Sequence, residues 1–165
     1  MTERWLVSKE GTSYDDGHNR HKNITLNSSP KEPSQFAVMN KSQIDSLIAA
    51  ARSVHGEFNL GRFSAGSCAA AILSDSGHVF TGICIDLACG IGFCAEHSAI
   101  AEMLKNRQTH IVAAVAVTED SIVPPCGRCR ELMAQVDSRN LSASIILSSE
   151  RVVTLSDLLP ESWLS

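Results

Sequence analysis

Two short segments hold side chains that could do chemistry together: Cys94-Ala95-Glu96 and Pro125-Cys126-Gly127-Arg128-Cys129. Zinc is bound tetrahedrally by Cys and His, and a catalytic zinc keeps one position open for water. A C-x-x-C pair in the first turn of a helix can place two sulfurs on one ion. A third thiolate from a separate helix leaves the fourth position free. Helix N-termini present unpaired N–H groups and partial positive charge, which favour thiolate over thiol. Glu96 follows Cys94 too closely to need a ligand role and is placed to stand beside the water. Zinc brings the pKa of such a water towards neutrality, and a carboxylate completes the proton transfer. The chemistry expected of Cys94, Cys126, Cys129 and Glu96 is therefore hydrolytic.

Two other uses of the same cysteines compete with this one. A C-x-x-C pair can be a redox dithiol, but a Cys-Ala-Glu segment precedes this pair. A purely structural zinc would need a fourth ligand, for which Cys84, Cys89, His97 and His110 are the candidates. As residues, Cys68, Cys84 and Cys89 read as small buried hydrophobes rather than ligands.

The elements that must position these groups can be read from periodicity. Ile44, Leu47, Ile48 and Ala51 follow helical spacing, with Asn40 or Ser42 as N-cap. Residues 69–73 form a short apolar run, 74–77 a turn, and 79–85 the returning strand of a hairpin. Gly90 and Gly92 break the chain before a helix over about 94–106, with Ala95, Ala99, Met103 and Leu104 on its buried face. Residues 111–117 are almost wholly apolar, as in a central strand covered on both faces. Pro124-Pro125 closes a loop before a second helix over about 126–136. Residues 144–147 and 151–155 read as strands and 156–159 as a last helical turn. This order predicts an α/β layered domain.

Composition sets the outer bounds. The chain has 165 residues and is 44% hydrophobic but 5% aromatic, which suits one domain with an Ala, Ile, Leu and Val core. Residues 1–38 are polar and punctuated by Pro30 and Pro33, and read as an N-terminal extension to a folded domain over 39–165. The formal net charge of −4 argues against a nucleic-acid-binding protein. No apolar run approaches the roughly 20 residues of a membrane span, and the N-terminus lacks a secretory pattern, so no membrane association is expected. A cytoplasmic location follows, with the six cysteines as thiols or metal ligands.

On these motifs, and on the closing Leu158-Leu159-Pro160, the chain from about residue 40 to 163 resembles the cytidine deaminase family, blasticidin S deaminases included. The resemblance implies a three-layer α-β-α sandwich with a mixed five-stranded sheet, and commonly a homotetramer with shared active sites. It implies Zn2+ held by Cys94, Cys126 and Cys129, with Glu96 shuttling protons. Relatives often carry Asn-x-Glu on the preceding strand to hold the sugar, and the matching positions here are Cys84 and Asp86. Trp163 stands where relatives place a stacking aromatic, and Asn59 is a further candidate for the base pocket. His97 replaces an Arg that often follows Cys-Ala-Glu. Three thiolates leave the site with a net charge of about −1, and either His97 or Arg130 could offset it through the sulfurs. The activity implied is hydrolysis of cytidine or deoxycytidine to the uridine product and ammonia. The altered sugar positions favour, as the alternative, a modified cytosine nucleoside such as blasticidin S. A non-catalytic zinc-binding module is the remaining reading.

Overall fold

A computed structural model describes residues 39–163. The proposed extension, 1–38, lies outside the described residues.

The first helix, α1 (Lys41–Val54), starts at Asn40, whose side chain accepts from Gln43 N at 3.0 Å. The Gln43 side chain accepts in return from Asn40 N at 3.0 Å, which completes a capping box. Ile44, Leu47 and Ala51 form its buried stripe.

The sheet contains β1 (Phe58–Asn59), β2 (Ser64–Ser74), β3 (Val79–Asp86), β4 (Ile111–Val117), β5 (Ile122–Val123), β6 (Ser144–Ile146) and β7 (Val152–Thr154). Its through-going order is β3-β2-β4-β6-β7, the expected five. The two-residue strands β1 and β5 pair with β2 and β4 and bring the total to seven. Only β4 and β6 run parallel, so the sheet is mixed.

Alternation along the strands separates two cores. Ala69, Ala71, Ala113, Val115 and Val117 pack under α1. Ile72, Ala114 and Ile145 face the other way. There they meet α2 (Ala95–Lys105), α3 (Gly127–Val136) and the short α4 (Leu155–Leu158) through Ala99, Ile100, Met103, Met133 and Leu155. The result is the three-layer α-β-α sandwich. With so many alanines on both faces, the helices can sit close to the strands.

Two contacts fix where α2 and α3 begin. Gly82 of β3 lies against the first turns of α2, and a Cβ there would fall 2.4 Å from Ala99 N and 2.6 Å from Ala95 O. Only glycine permits this approach. On the other side, the fully buried Asn140 ties α3 to the sheet. Its Oδ1 accepts from Ile111 N at 2.7 Å, and its Nδ2 donates to Met133 O at 2.9 Å and Thr109 O at 3.0 Å.

Candidate metal centre and substrate cleft

Cys94 and Cys126 are the N-caps of α2 and α3, and Cys129 lies in the first turn of α3. The two helices start side by side. Cys94 Sγ and Cys126 Sγ are 3.6 Å apart, Cys126 Sγ and Cys129 Sγ 3.4 Å, and all three sulfurs lie within 4.8 Å of one another. Tetrahedral zinc with Zn–S bonds of about 2.3 Å requires sulfurs roughly 3.8 Å apart. The cluster fits that ion, and the described residues bring three ligand atoms together rather than four.

The electrostatics of the cluster suit a cation. Burial, followed by the neighbouring Cys126 thiol, pushes the Cys94 pKa up. Burial and the nearby Glu96 charge push Cys129 up as well. Cys126 moves the other way. Burial opposes its ionisation, but the backbone N–H groups of Cys129 and Arg128 and the adjacent thiols outweigh it. Thiols crowded together and held protonated by burial ionise when a metal takes the protons' place.

Glu96 is in the first turn of α2 and is 4% exposed, although it lines the cleft that opens onto the cysteines. Burial raises its pKa, against the opposing pull of its own backbone N–H and of the Cys129 thiol. A carboxyl of raised pKa in a cleft can both take up and give back a proton.

His97 and Arg130 take different roles. His97 Nδ1 lies 3.5 Å from Cys129 Sγ. Arg130 Nε donates to Pro125 O at 2.7 Å and its Nη1 to Leu158 O at 2.9 Å. Of the two, His97 meets a sulfur, while Arg130 clamps the loop before α3 to the end of α4. Burial lowers the His97 pKa, with the Arg128 charge adding to the effect. Both effects favour the uncharged imidazole.

The cleft holds about 350 Å³ and is lined by Ser67, Cys68, Cys84, Asp86, Phe93, Cys94, Glu96, Val123, Cys126 and Arg128, among others. Both expected substrate positions on β3, Cys84 and Asp86, are on its wall. Burial, with the Glu96 charge second, raises the Cys68 thiol to about 12, so it stays neutral. Ser67, not among the site residues expected from the sequence, bonds to both β3 residues: its Oγ is 3.2 Å from Cys84 Sγ and donates to Asp86 Oδ2 at 3.3 Å. No sequence pattern marks Ser67, because it lies within an irregularity of β2. Asn59 is on β1 and lines a separate shallow depression that shares Asp86. Trp163 is 82% exposed on the single chain, with its backbone N–H donating to Glu131.

Comparison with known proteins bears on this geometry. Residues 41–145 match the family described as the cytidine and deoxycytidylate deaminase zinc-binding region. The cytidine deaminase of Halalkalibacterium halodurans is 34% identical over 104 residues, covering 60% of this chain and 76% of that protein. Cytidine deaminase from Mycobacterium tuberculosis is 31% identical over 104 residues, covering 62% of this chain and 74% of that protein. Its crystal structure superposes with a TM-score of 0.57 at 27% identity over 72% of this chain and 92% of that one. The Burkholderia pseudomallei cytidine deaminase gives 0.57 at 25% identity, over 76% of this chain and all of that chain, 100%.

Proposed function

The chain belongs to the cytidine and deoxycytidylate deaminase zinc-binding family, and on that premise we propose that it hydrolyses the C4 amino group of a cytosine nucleoside, cytidine or deoxycytidine, to give the uridine product and ammonia. The observation that carries this reading is the placement of Glu96 on the wall of the cleft that exposes Cys94 and Cys126. A zinc module without catalysis needs neither a buried carboxyl nor an open cleft beside the metal.

Cys94, Cys126 and Cys129 are the residues that would hold zinc. A zinc ion there supplies a Lewis acid that makes water a nucleophile near neutral pH. Glu96 takes the proton from the attacking water and delivers it to N3 of the base as water adds at C4. It then carries the second proton to the exocyclic amine, the C4–N bond breaks, and ammonia leaves. Burial raises the proton affinity of Glu96, which favours its taking up a proton before giving it back. His97 Nδ1 lies 3.5 Å from Cys129 Sγ, and in the Nδ1–H tautomer it would donate to that sulfur and offset the surplus charge left by three thiolates. Asp86, on the same wall, accepts hydrogen bonds from the sugar hydroxyls.

The Cys84 thiol and Asp86 carboxylate leave one further substrate in view, a modified cytosine nucleoside such as blasticidin S. Trp163, Ile91 and Leu60 are exposed on the single chain at 82%, 74% and 51%, which supports a homo-oligomer, a tetramer by family likeness. No described helix is long and apolar enough to cross a membrane. A reducing, cytoplasmic setting suits six free thiols. Ammonia release from cytidine, deoxycytidine and blasticidin S by the zinc-loaded chain tests the reading. Release from cytidine or deoxycytidine is expected, and no release from any of the three would overturn it.

A further inference from the structure

β2 departs from regular pairing just where it reaches the cleft. Its register with β3 runs Ala65 to Ile85 and then Ala69 to Ile83. Gly66, Ser67 and Cys68 therefore face the single residue Cys84. Bulges of this kind re-aim side chains, and they gather next to active sites. Gly66 makes the bulge possible, with φ at +84° and with Gly56 O 2.2 Å from where a Cβ would stand. The bulge is tied to the chain after α1: Gly56 N donates to Gly66 O at 3.2 Å, and His55 Nε2 lies 3.3 Å from Ser67 O.

In the regular part of β2, neighbours alternate, with Ala69 and Ala71 under α1 and Ala70 and Ile72 on the other face. In the bulge both Ser67 and Cys68 reach the cleft. Ser67 Oγ then bridges the two β3 residues on the wall. It is 3.2 Å from Cys84 Sγ and donates to Asp86 Oδ2 at 3.3 Å, while Cys84 Sγ also faces Oδ2 at 3.9 Å and accepts from Cys68 N at 3.2 Å. Among the described residues, both side-chain contacts to the Asp86 carboxylate fall on Oδ2, and the residue lines the cleft.

We propose that Ser67 is a positioning residue for substrate specificity: its hydroxyl pins one oxygen of Asp86 so that the other meets a hydroxyl of the substrate's sugar. This rests on the deaminase reading above and adds the group that makes a lone aspartate an effective sugar acceptor. Without the Ser67 bond, the Asp86 carboxylate has one partner fewer to hold its rotamer. Pinned, it loses less freedom when a hydroxyl binds, so the interaction favours substrates with a free sugar hydroxyl. None of these hydrogen bonds involves Glu96 or the three clustered cysteines, so turnover at saturation should be untouched.

The experiment compares Ser67→Ala with the zinc-loaded wild-type chain on cytidine and on 2′,3′-dideoxycytidine, which lacks the 2′ and 3′ hydroxyls. Uridine binding by calorimetry is measured alongside. For Ser67→Ala, KM for cytidine should rise about 3- to 10-fold, the worth of one ordinary intramolecular hydrogen bond. Uridine binding should weaken by the same factor. kcat, zinc content and KM for the dideoxy substrate should stay at wild-type values, and Ser67→Thr, which keeps the hydroxyl, should restore cytidine KM. If Ser67→Ala fails to fold, Ser67→Cys, nearly the same size with a weaker donor, carries the comparison. An unchanged cytidine KM, or a rise shared equally by the dideoxy substrate, overturns the role of Ser67 while leaving the deaminase reading intact. A wild-type chain that releases no ammonia from any nucleoside and binds no uridine overturns both.

Discussion

Cys94 and Cys126 each cap a helix, and their sulfurs lie 3.6 Å apart across the gap between α2 and α3. The metal centre is therefore a junction between two helix N-termini, and its integrity depends on whatever holds those termini together. With Cys129 it offers zinc three thiols at nearly tetrahedral spacing.

Replacing one sulfur should empty the site. Cys126→Ala removes the ligand whose pKa the α3 N–H groups lower, and it leaves two sulfurs with raised pKa values. Zinc per chain, measured by atomic emission after dialysis, should fall from about one to near zero. A fully loaded Cys126→Ala protein would show that the ion sits elsewhere.

Gly82 should tolerate no side chain. The atoms a Cβ would meet at 2.4 and 2.6 Å are backbone atoms of α2, so relief requires moving the helix that carries Cys94 and Glu96. Gly82→Ala should cost about 1–3 kcal/mol of stability, the usual range for overpacking, and should lower zinc affinity with it. Thermal melting of the apo and zinc-loaded forms reads both effects. An unchanged Tm would mean that α2 has slack against β3.

Asn140→Ala should be among the more damaging changes away from the cleft. It strands Ile111 N and the carbonyls of Met133 and Thr109, which the side chain now satisfies. Two of these groups, Ile111 N and Met133 O, are in buried bonds, and each buried group left unpaired costs about 1–3 kcal/mol, so a loss of about 2 kcal/mol or more is expected in urea unfolding. A loss well under about 1 kcal/mol would show that water replaces the amide.

Much of this architecture was legible in the residues themselves. The helix starts at Cys94 and Cys126, the central strand over 111–117 and the cap at Asn40 all follow from local signals: glycine and proline breaks, apolar runs, and a capping side chain. What was not legible depends on contacts across the sheet. The strand expected from residue 69 begins at Ser64, because Gly66 and the bulge interrupt its alternation without ending it. Ser67 was hidden for the same reason. The choice between His97 and Arg130 as the sulfur's neighbour was open in the sequence. It turns on where Arg130 finds carbonyls, at Pro125 and Leu158, and Leu158 is distant in the chain. Buried Asn140 gave no signal either, since its partners lie 7, 29 and 31 residues away in the chain.

The central claim is that Glu96 moves the protons in a zinc-dependent deamination. The most direct measurement is ammonia release from cytidine by wild-type and Glu96→Gln proteins matched for zinc content. The amide keeps the size of the buried side chain but cannot carry a proton. The Glu96→Gln protein should hold a full complement of zinc, melt close to the wild type, and turn over about 10²–10⁴-fold more slowly, the usual worth of general acid-base catalysis. A Glu96→Gln protein with wild-type turnover at equal zinc would contradict the account, because the proton would then travel through a different residue.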